Sequence, residues 1–129
     1  MLLSCSALQW PPRVLIVEDE SIIALATKAS LKRMGCEVVA TAATGLQAVD
    51  YATRKRPDVV LMDIMLEGGM DGIEAASRIR ESLPDLPIIY CTAYTDPATR
   101  VQASRTKPHA FMGKPLDYGA LKELIDTLQ

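Results

Sequence analysis

Short apolar runs alternate with amphipathic segments five times along this 129-residue chain, and that alternation constrains the fold more than any other feature. "RVLIVE" (13–18) precedes "DESIIALATKASLKRMG", where Ile23, Thr27, Leu31 and Met34 recur at helical spacing and Gly35 stands where a C-terminal cap belongs. "EVVATA" (37–42) leads to Thr44, with Gln47 three residues on, the spacing of a capping box. "DVVLMD" (58–63) is followed by the turn residues "EGGMDG", and Asp71 with Glu74 repeats the capping pattern. "LPIIYC" (86–91) precedes Asp96–Pro97, a helix start with Pro at its first position. "HAFMG" (109–113) is the fifth run, and Asp117 opens a last helix with Leu121, Leu124, Ile125 and Leu128 on one face.

Five strands in strict alternation with five helices imply an α/β fold, a doubly wound parallel sheet covered on both faces. Right-handed crossovers leave few topologies, and the flavodoxin-like order 2-1-3-4-5 is the common five-strand solution. The length suits one domain with a full core and is too short for two. We expect residues 1–12 to be a flexible tail and residues 13–129 to be the domain. A 49% hydrophobic content argues against disorder. A net charge of −2 gives no electrostatic case for nucleic acid or an anionic membrane. No apolar run reaches the ~20 residues of a membrane span. Cys5, Cys36 and Cys91 lack metal-ligand spacing and read as reduced thiols of a cytoplasmic protein. His109 is the only histidine, which excludes a His-rich metal site and any histidine-dependent triad. No G-x-G-x-x-G or P-loop supports nucleotide binding.

Polar residues gather at the strand ends. The first strand runs into Glu18 and Asp19, the third into Asp63, the fourth into Thr92 and the fifth into Lys114. In the proposed order all of these meet at one sheet edge, the edge where open parallel sheets bind ligands. Asp19 alone reads equally as a helix cap. Two carboxylates ~5 Å apart repel by about 3 kcal/mol at an effective dielectric near 20, so three need a cation. Lys114 is one candidate and a divalent metal another; oxygen-only ligands suit Mg²⁺. A carboxylate beside Mg²⁺ and a lysine is competent to attack phosphorus and form an acyl phosphate.

"VLIVEDE", "VVLMDIML", "IIYCTAY" and "FMGKPLD" together resemble the signature segments of response-regulator receiver domains over residues 13–128. The resemblance implies a two-component role in which Asp63 takes a phosphoryl group from a sensor histidine kinase or phosphotransfer protein. It implies Glu18, Asp19, Asp63 and the backbone carbonyl of Met65 as Mg²⁺ ligands. Thr92 matches the switch hydroxyl, Lys114 the family lysine, followed by a cis peptide to Pro115, and Phe111 the aromatic switch, often Tyr in the family. The switched surface would be the fourth helix, fifth strand and fifth helix, with no enzymatic activity beyond the protein's own phosphorylation and dephosphorylation. A homodimer, or a fused output or kinase domain, fits the same reading. "TKPHAFMGKP" is similar to a receiver subgroup that often accompanies kinases with PAS domains. Two alternative readings compete with this one. One is a pseudo-receiver, an interaction module that works without phosphorylation; the five intact site residues oppose it. The other is a Mg²⁺-dependent phosphatase, which needs an acid two residues after the nucleophile, where this chain has Met65.

Overall fold

The computed structural model describes residues 11–93 and 96–128. Five strands and five helices alternate through them: β1 (Arg13–Val17), α1 (Ser21–Arg33), β2 (Glu37–Ala42), α2 (Gly45–Lys55), β3 (Val59–Met62), α3 (Gly72–Ser82), β4 (Ile88–Thr92), α4 (Pro97–Ser104), β5 (Ala110–Gly113) and α5 (Tyr118–Asp126). The strands form one sheet in the order β2-β1-β3-β4-β5, and every pairing is parallel. This is the flavodoxin-like, doubly wound order expected from the alternation. Most of the tail assigned to residues 1–12, including Trp10, lies outside the described residues. At Pro12 the carbonyl already accepts the Glu37 N–H at 2.9 Å.

The period of two along each strand divides the core. Leu15, Val17, Val60, Met62, Ile88 and Tyr90 face a layer that includes Ala48 and Ala52 of α2, Ala75, Ala76 and Ile79 of α3, and Ala103 of α4. Val14, Ile16, Val59, Leu61, Ile89 and Cys91 face Leu31 of α1 and Leu121 and Ile125 of α5. Both faces of β3 and β4 are buried, which is why these strands read as unbroken apolar runs. Truncating a fully buried residue such as Ile79 to Ala would cost about 2–5 kcal/mol, because the layer cannot collapse fully into the gap.

The capping signals are used, with variations. Thr44 accepts the Gln47 N–H, while the Gln47 side chain reaches back one residue further than a standard box, to the N–H of Ala43. Asp71, Asp96 and Asp117 cap α3, α4 and α5. Glu74 does not complete a box at α3; it pairs instead with Arg78. Gly35 follows the end of α1 at φ +91°, a conformation costly for any residue with a Cβ. The α1 stripe is rotated from the expected one. Ala24, Thr27, Ser30 and Leu31 are buried, Ile23 and Met34 only partly, and Ile22 and Leu25 are 82% and 68% exposed. Apolar residues ring the first turn of α1, so periodicity alone did not fix its inward face.

Candidate functional site

Strand register brings the polar residues together. Val17 pairs with Met62 across β1 and β3, so the next residues, Glu18 and Asp63, leave the sheet side by side. Their N–H groups continue the ladder: Glu18 donates to Ala42 O at 2.9 Å and Asp63 to Val17 O at 3.0 Å. On the other side Thr92 pairs with Gly113, and the Lys114 N–H donates to Thr92 O at 3.0 Å. The peptide between Lys114 and Pro115 is cis.

The Lys114 ammonium bridges the two strand-end acids. Its Nζ donates to Glu18 Oε1 at 2.6 Å and to Asp63 Oδ2 at 2.8 Å. Asp63 Oδ1 accepts the Met65 N–H at 3.2 Å, and Glu18 Oε2 accepts the Glu20 N–H at 3.2 Å. Burial dominates at Glu18 and pushes its carboxyl above the usual value, although Lys114 pulls the other way. Burial would depress Lys114, but its hydrogen bonds to Asp63 and Glu18 outweigh that and hold the ammonium above its ordinary range. The lysine is therefore a fixed positive charge at neutral pH.

Asp19 completes the cluster: one carboxylate oxygen each from Glu18, Asp19 and Asp63 lies within 4.8 Å of the others. Asp19 is not the cap of α1. That position is Glu20, and no side chain caps the helix. Asp19, Asp63, Met65, Thr92 and Lys114 line an open cleft of about 350 Å³ together with Glu20, Glu67 and Ala93. Glu18 is buried behind it. The strand-end pattern in the sequence does not point to Glu20 or Glu67. The first lies next to the acidic pair, but Glu67 sits in a turn whose return to the cleft no periodicity signals.

Two features suit the cleft to an added group. The clustered Glu18, Asp19 and Asp63 outnumber the one ammonium of Lys114, and Glu20 and Glu67 add further negative charge to the cleft, so a cation is favoured there. The Thr92 Oγ1 is buried without a hydrogen-bond partner among the described residues, a costly state unless another partner is met in function. The converging ligand atoms are all carboxylate oxygens, the donor set of a hard cation such as Mg²⁺.

The first turn of α3 is set against the nucleophile candidate. Gly72 donates its N–H to Ile64 O at 2.8 Å, and a Cβ at Gly72 would meet the Asp63 carbonyl oxygen at 2.0 Å. Phe111 lies beyond Thr92 and is half-buried. Its ring stacks on Tyr90, its partner across β4 and β5, with centroids 5.4 Å apart. The Arg100 guanidinium lies 4.0 Å from the centre of the Phe111 ring. His109 sits outside the site and meets the Thr127 hydroxyl at 2.9 Å, a surface contact near β5. Arg54, Lys55 and Arg56 are exposed at the end of α2.

A parallel five-stranded sheet whose carboxyl edge gathers three acids, a lysine and a hydroxyl unpaired among the described residues is the arrangement of a receiver domain. The chain belongs to the response regulator receiver domain family, whose pattern it matches over residues 14–126. It is 34% identical over 119 residues to the transcriptional regulatory protein PdtaR of Mycobacterium tuberculosis, covering 92% of this chain and 56% of that one. It is 32% identical over 116 residues to the chemotaxis protein CheY of Thermotoga maritima, covering 90% of this chain and 96% of that one. Among solved structures, it superposes with a TM-score of 0.84 and 37% identity on the signal receiver domain of a modulated diguanylate cyclase from Desulfovibrio desulfuricans G20, over 91% of this chain and 92% of that one. The receiver domain of the Pseudomonas aeruginosa sensor histidine kinase PA1611, solved with a magnesium ion in its active-site cleft, gives a TM-score of 0.82 at 29% identity, over 91% and 96% of the two chains. The chain spans about half the length of the first curated relatives it matches. Among the described residues, no helix is long and apolar enough to cross a membrane.

Proposed function

We propose that this receiver domain accepts a phosphoryl group on Asp63 from the phosphohistidine of a sensor kinase or phosphotransfer protein in the cytoplasm. The observation that carries the reading is Lys114 bridging Glu18 and Asp63 at 2.6 and 2.8 Å beside the unpaired Thr92 hydroxyl. An Asp63 carboxylate oxygen forms a bond to phosphorus. The bond from phosphorus to the donor imidazole nitrogen breaks, and its electron pair leaves with the imidazole, which is then protonated. Lys114 neutralises oxygen charge on the transferring group, and the small Ala93 leaves room beside Thr92. Protein catalysis here is positioning and electrostatics rather than covalent assistance.

Glu18, Asp19 and Asp63, with the Met65 carbonyl, are the groups that would hold Mg²⁺. When bound, the ion supplies further neutralisation of phosphoryl oxygens. The magnesium reported in the PA1611 receiver cleft supports this assignment. Phosphorylation replaces one negative charge with roughly two and adds acceptor oxygens. Thr92 donates to the new group, and Phe111 follows into the space that Thr92 leaves. The surface of α4, β5 and α5, with Arg100, Gln102, Arg105 and Lys122, then differs between states. Self-association, or an output or kinase domain on the same polypeptide, reads that difference. We assign this module to residues 13–129, with residues 1–12 as a tail.

The test is intact-mass spectrometry after incubation with acetyl phosphate. One phosphoryl group should be added to the wild type with Mg²⁺ and none to Asp63→Asn or in excess EDTA. Equal labelling of Asp63→Asn places the acceptor elsewhere, and undiminished labelling in EDTA removes the metal from the reading.

A further inference from the structure

Among the described residues, the two ends of α4 are held differently: Asp96 caps the first turn, and contacts from other elements gather at the other end. At the C-terminal end the Thr106 hydroxyl donates to Ala103 O at 2.6 Å, so the contact between Thr106 Oγ1 and the Tyr90 hydroxyl at 2.7 Å has Tyr90 as donor. Tyr90 is fully buried on β4, and burial pushes its phenol above the usual 10.0, which keeps the donor protonated. From α3, Arg80 Nε donates to Thr106 O at 2.8 Å and Nη2 to Lys107 O at 3.1 Å, while Nη1 reaches the carbonyls of Leu83 and Leu86. Lys107 stands at φ +56°, so the chain leaves this clamp through a conformation that residues with a Cβ rarely adopt. One guanidinium and one phenol thus tie the turn that closes α4, at Thr106 and Lys107, to both α3 and β4. Ala103 is the only buried residue of α4, and the helix's N-terminal half meets the site region through Arg100 on the Phe111 ring.

We propose that Tyr90, Thr106 and Arg80 are positioning residues that fix the C-terminal turn of α4, so that movement begun at Thr92 swings the helix about Thr106. The surface change is then concentrated at the Pro97–Val101 end and fades toward Ala103–Lys107. Swinging that end takes Arg100 off the Phe111 ring and frees the ring to turn. Tyr90 cannot follow, because its hydroxyl is bonded to the fixed end. The inference rests on the phosphoryl reading above and adds which half of the helix moves.

The experiment is amide and arginine Nε NMR of the full chain with Mg²⁺, with and without beryllofluoride. The expected result is large shifts at Asp63, Thr92 and residues 98–101, with the Arg80 Nε and the Lys107 amide stationary. Tyr90→Phe keeps the ring and its stacking but removes the donor, and shifts should then spread through residues 103–107. Thr106→Ser retains the hydroxyl and should restore the confined pattern. Arg80→Lys, which loses the planar fork, should spread the shifts as Tyr90→Phe does and provides a second variant. A purely structural role would lower stability without changing which residues shift. Wild-type shifts spread evenly over 97–107, or a confined pattern in both Tyr90→Phe and Arg80→Lys, overturns the pivot while leaving phosphorylation intact. No response at Asp63 or Thr92 overturns the phosphoryl reading and the pivot with it.

Discussion

A side chain on Gly72 would place its first carbon 2.0 Å from the carbonyl oxygen of Asp63. The start of α3 therefore touches the main chain of Asp63, the proposed acceptor. Gly72→Ala should push α3 away from β3 and cost about 1–3 kcal/mol, the usual range for overpacking. Urea melts should show the loss, and acetyl phosphate labelling should slow because the Asp63 peptide shifts. Unchanged stability with normal labelling would show that the helix moves freely there.

Glu18 should work against the fold at neutral pH. Burial raises its carboxyl above the ordinary 4.5, so its contribution to stability is full below that unfolded value. That contribution is lost as pH rises through the higher folded value. Glu18→Gln keeps an oxygen for Lys114 and removes the buried charge. It should gain about 1 kcal/mol at pH 7, or roughly 4 °C in Tm, and lose metal-dependent labelling. Calorimetry at mildly acidic and at neutral pH checks the sign. A gain that grows on acidification contradicts the assignment.

Among the described residues the buried Thr92 hydroxyl has no partner, and such a group costs about 1–3 kcal/mol. Thr92→Val, of nearly equal shape, should be neutral or slightly stabilising in thermal melts. The same variant should abolish the response of Phe111 to beryllofluoride. A strongly destabilised variant would mean that the hydroxyl is already satisfied in the resting protein.

Cys91 is buried on the α1 and α5 side of β4, and burial pushes its thiol up to about 12. It should resist iodoacetamide at mildly alkaline pH in the native protein and react only after unfolding. Peptide mass spectrometry separates it from the other cysteines. Fast native labelling of Cys91 would show that this side of the core opens readily.

The sheet order and the strand-end residues were legible because each follows from a local rule. An apolar run sets a buried strand, right-handed crossovers set its neighbours, and the residue after the run lands at the carboxyl edge. Glu18, Asp19, Asp63, Thr92 and Lys114 all meet by that route. The facing of α1 was not legible, because apolar residues surround its first turn and only packing buries Ala24 in preference to Ile22. The Arg80 clamp left no pattern in the sequence either. Its partners are carbonyl oxygens, which every residue has, on loops 26 and 27 positions away as well as close by. Gly72 read as turn chemistry, while its small size is demanded by a neighbour brought there by folding.

Lys114 lies 96 positions after Glu18 and 51 after Asp63. A nascent chain emerging from the ribosome thus exposes its acids long before their cation is made. Until β5 docks, Asp63 lacks the ammonium that holds it, and a polypeptide cut short before that strand has no finished site. On the proposed reading, competence to receive a phosphoryl group then requires complete folding, and a product that ends before β5 should stay unlabelled by a phosphoryl donor.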